Sequence, residues 1–143
     1  MGNSQTMQKI NFEDVQTAIK NKEMYIIINT LKEEEQHCLI QHTIPISKEE
    51  TLINHHVKNS SSNTKSIRII IYGRNCNDEK TYKKYQQLQQ LGFHNVYIYM
   101  GGIFEWLLLQ DIYGADEFPT TQKHLDILKY KPSQLFNIGL IEY

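Results

Sequence analysis

Apolar side chains fall along this chain in three strand-like runs, with stretches of helical spacing between them. MYIIIN (residues 24–29) and IRIIIY (67–72) hold largely β-branched residues without alternation, which predicts strands covered on both faces. NVYIYM (95–100) predicts a third strand. Val15, Ala18 and Ile19 share one face of a predicted helix over 12–21, with Asn11 as its cap and Asp14 as capping-box partner. Ser47 with Glu50 predicts a second box, opening a helix over 48–57. Tyr82, Tyr85, Leu88 and Leu91 form the stripe of a helix over 78–91, and Gly92 takes its C-cap. Gly101-Gly102 then breaks the third strand, and IFEWLLLQDIYG (103–114) predicts a short, strongly apolar helix.

LKEEEQ (31–36) reads as a solvated connection, and CLIQHTIPI (38–46) supplies a short strand before Pro45. NSSSNTKS (59–66) is too polar to bury and predicts a mobile loop inside the domain, since neither side of it could build a core alone. Leu125, Ile127, Leu128, Leu135, Phe136 and Ile138 predict that the tail docks on the body. Covered strands separated by helices predict an α/β fold, a central mainly parallel sheet between two helical layers. Ligands of such sheets bind at the carboxyl ends of strands, so the loop after Tyr72 is the first candidate site.

With 143 residues the chain is long enough for one core. Residues 1–10 are expected as a flexible lead, 11–114 as the domain and 115–143 as an extension packed on it. A net charge of -1 leaves no general field for nucleic acid or an anionic membrane. No apolar run approaches the ~18 residues of a membrane span. Cys38 and Cys76 make no disulfide framework and are expected reduced, which together with the polar MGNSQTMQKI points to the cytoplasm. Gly2 and Thr6 complete the N-myristoylation pattern, although one acyl chain with only Lys9 nearby would give weak peripheral attachment. Cys38 with His37 and His42, and the pair His55-His56, lack a recognised metal-ligand spacing, and adjacent histidines on a helix are expected to face apart. Trp106 reads as core. Tyr82, Tyr85, Tyr97 and Tyr99 read as packing residues with their hydroxyls reaching the surface.

Gly92-Phe93, Asn95-Val96, Gly101-Gly102 and Trp106, following a strand that ends in Tyr72-Gly73 and a loop-helix, resemble the rhodanese-like domain. The likeness runs over roughly residues 10–113, and GGIFEWLLLQDIYGADEFPTT resembles a branch found in protists and large DNA viruses. It implies a loop cysteine that takes a sulfane sulfur as a persulfide and passes it to a thiol or cyanide. Backbone N–H groups around such a cradle would stabilise an anion and lower the thiol's pKa.

This sequence departs from the pattern at the cradle. Gly73 stands where the resemblance puts the nucleophile, and Asn29-Thr30 replaces an acidic residue followed by Arg. No Arg ends the loop; Asp78 and Glu79 open the helix and would repel thiosulfate. Cys76 is the remaining candidate nucleophile, and Gly73, Arg74, Asn75, Asn77, Asp78 and Glu79 are the candidate loop or anion-binding residues.

Three readings follow. The first is a silent module that binds an unknown protein partner or a small sulfur-containing anion. The second is a sulfurtransferase working through Cys76. The third, a phosphatase-like activity, ranks last because Thr81 and Tyr82 stand where its phosphate-holding Arg belongs. No cofactor or metal is implied.

Overall fold

The computed structural model describes residues 7–58 and 66–136. Gly2, Ile138 and nearly all of the polar loop at 59–66 lie outside the described residues. Five strands form one parallel sheet in the order β1-β5-β4-β2-β3. They are β1 (Lys9–Ile10), β2 (Tyr25–Asn29), β3 (Thr43–Ile44), β4 (Arg68–Tyr72) and β5 (Val96–Tyr99). Among the described residues, helices α1 (Phe12–Lys20), α2 (Ile46–Lys58) and α3 (Lys80–Gln90) fall between strands, and α4 (Gly102–Tyr113) follows β5. The α/β expectation holds. Lys9 and Ile10, expected in a flexible lead, instead pair with Ile98 and Tyr99 as an edge strand.

Side chains of a strand point alternately to opposite faces, and here both faces are buried. Ile27, Ile70, Tyr72 and Tyr99 enter one core with Val15 and Ala18 of α1 and Ile103, Trp106 and Leu107 of α4. Ile26, Ile28, Ile69, Ile71, Val96 and Ile98 enter the other, against Ile53 of α2 and Tyr85 and Leu88 of α3. Continuous isoleucine runs in the sequence are the direct consequence of this two-sided burial.

The caps show where local signals were sufficient. Asn11 accepts from the Glu13 and Asp14 N–H groups, and Asp14 accepts in turn from the Asn11 N–H. At the far end of α3, Gly92 at φ 101° lets the Gly92 N–H reach Gln89 O and the Phe93 N–H reach Leu88 O, a Schellman closure. The second capping box is a correction. Helix α2 begins at Ile46, before Ser47, and the Ile46 N–H is satisfied by the Gln36 side chain at 3.1 Å.

The tail docks differently from expectation. Leu125, Leu128, Leu135 and Phe136 are exposed, whereas Phe118 and Tyr130 are buried. Phe118 stacks edge-on against Trp106 with 5.0 Å between ring centres, and the Trp106 Nε1–H donates to Pro119 O. A short helical turn, Ile127–Tyr130, brings Tyr130 into the core on the α4 side.

Candidate functional site

The three central strands end in register, with Asn29 beside Tyr72 and Tyr72 beside Tyr99. Thr30 and Gly73 therefore leave the sheet side by side at its carboxyl edge. Tyr72 is buried, its hydroxyl accepting from the Ile40 N–H and sharing a hydrogen bond with Thr43 Oγ1 at 2.9 Å. Burial pushes its ionisation above the ordinary tyrosine range, so it stays neutral.

The loop after Tyr72 is fixed by its own backbone. Gly73 O accepts from the Ile103 N–H and Arg74 O from the Phe104 N–H, both at 2.9 Å, in the first turn of α4. This approach requires glycine at 102, which sits at φ 66°; a Cβ there would lie 2.5 Å from Gly73 O. The pair Gly101-Gly102 thus serves the loop as well as breaking the strand.

Gly73 is crowded for a different reason. A Cβ on it would overlap the Asp78 carboxylate and come within 2.8 Å of Thr30 Oγ1. Asp78 Oδ2 accepts from Thr30 Oγ1 at 2.9 Å and from the Arg74 N–H at 3.1 Å. Its Oδ1 accepts from the Lys80 N–H at 3.0 Å. The carboxylate is therefore held by the Arg74 N–H and by the first N–H of α3, at the point from which any residue-73 side chain would start.

Arg74 turns away from this point. Its guanidinium donates to the Glu35 carboxylate and to Lys129 O, and lies 5.2 Å over the Tyr130 ring. Asn75 Nδ2 donates to Tyr130 O at 2.8 Å. Glu35 is buried, which corrects the reading of 31–36 as a wholly solvated connection. Burial alone would raise the Glu35 carboxyl, but the Arg74 hydrogen bond and charge, with the Lys32 N–H, outweigh it and hold it below its ordinary value. The sequence could have flagged Arg74 as a cation in the loop. Its partner was hidden among three consecutive glutamates.

The remaining candidates face outward. Asn77 and Glu79 line an open cavity of about 620 Å³ with Arg74, Asn75, Asp78, Lys80, Lys83, Lys131 and Ser133. Cys76 is exposed, does not line that cavity, and has Asn77 Oδ1 at 3.8 Å. The structure thus brings the predicted residues Arg74, Asn75, Asn77, Asp78 and Glu79 to one cavity, sets Gly73 behind the Asp78 carboxylate, and leaves Cys76 outside the lining. Cys38 is buried on the tail side, donating to Gln122 O, and burial pushes its thiol up.

Two further expectations are corrected. The Tyr99 hydroxyl does not reach the surface; it donates to Glu105 Oε1 at 2.5 Å inside the protein. Tyr85 is also buried, accepting from the Gln8 N–H. The His55 and His56 rings do not face apart but meet edge-on, 5.7 Å between centres.

Comparison with known structures gives the same fold. The BH2092 protein from Bacillus halodurans is 24% identical, with a TM-score of 0.55 over 75% of this chain and 74% of that one. A yeast protein tyrosine phosphatase of the Rhodanese family, Ygr203w, is 14% identical, with a TM-score of 0.57 over 82% of this chain and 94% of its own. The single-domain sulfurtransferase RDL2 of Saccharomyces cerevisiae is 16% identical, with a TM-score of 0.52 over 82% of this chain and 100% of that one. No curated protein sequence matches the chain. Residues 11–109 match the Rhodanese-like domain model, and the chain belongs to that family.

Proposed function

We propose that this rhodanese-like domain carries no thiosulfate sulfurtransferase activity and serves as a binding or regulatory module, its cradle closed by its own Asp78. In this reading Gly73 stands at the nucleophile position of the family. One observation carries it: the Asp78 carboxylate occupies the space beside Gly73 and takes the Arg74 and Lys80 N–H groups that an anionic persulfide would need. Thiosulfate brings a second anion to a place already holding one, and the two repel.

Sulfur transfer would require a thiolate to attack the outer sulfur of thiosulfate, forming a persulfide and releasing sulfite. Cys76 is the thiol available for that step. It lies outside the closed cradle and has none of these N–H donors, so its solvent exposure alone does not supply the stabilisation. Phosphatase-like chemistry, the activity named for the yeast relative, has the same obstacle, with Thr81 and Tyr82 offering no guanidinium.

The test is intact-mass spectrometry after incubation with thiosulfate, on wild type and Cys76→Ser. No added sulfur in the folded wild type is the expected result. One added sulfur atom in wild type and none in Cys76→Ser overturns the reading and makes Cys76 the acceptor.

A further inference from the structure

We infer that the outer face of α4 is a docking surface for a basic amphipathic helix of a protein partner. The inference goes beyond the closed-cradle reading and holds whether or not the cradle accepts sulfur.

Helix α4, GIFEWLLLQDIY, is apolar nearly all the way round, the composition of a helix covered on every side. Among the described residues only one side is covered. Ile103, Trp106 and Leu107 enter the core, whereas Leu108 is 38% exposed and Ile112 is 68% exposed. With half-buried Phe104, these two recur every fourth residue along one line of the helix. Such a row is a single ridge, which packs into the groove between the ridges of a second helix. The backbone of α4 is bonded within itself and offers no strand edge. A partner must therefore satisfy its own N–H and C=O groups, as a helix does.

Charge selects that helix. No Lys or Arg occurs between Lys84 and Lys123, and the acids of this stretch, Glu105, Asp111, Asp116 and Glu117, all lie on α4 or in the turn after it. Glu105 is engaged by the Tyr99 hydroxyl. Asp111, Asp116 and Glu117 are exposed and, among the described residues, in no ion pair. The last turn of α4 holds Asp111 and no base, although the negative end of the helix dipole favours a cation there. Two cations oppose a basic ligand: Lys123, which lines a cavity with Asp111, and Lys20, one turn beyond the Gln16 that donates to Glu117 O. Glu13, one turn before Gln16, adds a further carboxylate, so the balance stays negative. Other occupants fit this charge less well. Residues 137–143 carry Glu142 and no Lys or Arg, and the same face of a second copy would bring the same carboxylates.

Two synthetic fluorescein-labelled helices, titrated with the full-length protein and followed by anisotropy, test this. Both carry leucines at i, i+4, i+7 and i+11; one has lysines on its flanks and the other glutamates. The lysine helix should bind, and the glutamate helix should bind at least about tenfold more weakly. Affinity for the lysine helix should fall about tenfold in Leu108→Gln/Ile112→Gln and about tenfold in Asp111→Asn/Asp116→Asn/Glu117→Gln, with salt dependence lost in the second variant only. Equal binding of the two helices, or unchanged affinity in either folded variant, overturns the assignment. Tighter binding to Leu140→Asn/Ile141→Asn would make the chain's own residues 137–143 the occupant. A dimer that Ile112→Gln dissociates, seen by analytical ultracentrifugation, would make the occupant a second copy. Either result overturns the basic partner.

Discussion

The two halves of the loop after β4 are held in different ways. Gly73, Arg74 and Asn75 are fixed from outside, by the first turn of α4, by Glu35 and by the backbone of Lys129 and Tyr130. Cys76 to Glu79 are held mainly from within, through Asn75, Asp78 and the start of α3, with Thr30 the outside contact. The first half depends on distant parts of the fold and so persists with the scaffold. The second half depends on one carboxylate. A cradle can keep its shape through the first kind of support while its chemistry is decided by the second.

The largest expected break in that contrast is Gly102→Ala. It forces a Cβ into left-handed backbone against Gly73 O, and urea unfolding should show a loss of about 3 kcal/mol. Arg74→Met strands the buried Glu35 carboxylate, with an expected loss of about 2 kcal/mol, while Arg74→Met/Glu35→Met should recover most of it.

The same pair gives a pH test. Glu35 ionises at a lower pH folded than unfolded, so its contribution is present above the ordinary carboxylate range and is lost as pH falls through the depressed folded value. Wild type should lose stability on acidification more steeply than Glu35→Gln, measured by urea titrations between pH 3 and 7.

The second half sharpens the comparison through a smaller effect. Gly73→Ala must displace Asp78 and should cost about 1–2 kcal/mol, but clearly less in an Asp78→Gly background. Equal costs in both backgrounds would mean that Asp78 does not fill the space. Smallest of all, Tyr130→Phe removes a buried hydroxyl that has no hydrogen-bond partner among the described residues, and should be neutral or slightly stabilising.

What the sequence disclosed follows from the range of the forces involved. The isoleucine runs, the Asn11 box and the Gly92 closure are set within a few residues, and each was legible. Gln36 reaches α2 across the intervening strand β3, and Glu35 meets Arg74 from a segment far away in the chain; no local pattern marks either contact. In the loop, Asp78 could be recognised as a carboxylate at a helix start. That it turns inward beside Gly73 depends on Thr30, which is brought there by strand register.

The short outer strands have one more consequence. The central runs Ile26-Ile27-Ile28 and Ile69-Ile70-Ile71 are of the composition that stacks into cross-β fibrils when exposed. Here they lie inside a sheet whose two margins, Lys9–Ile10 and Thr43–Ile44, are only two residues each. Margins so brief give an incoming strand almost no ladder to extend, so the fold guards its most aggregation-prone segments by where it ends the sheet.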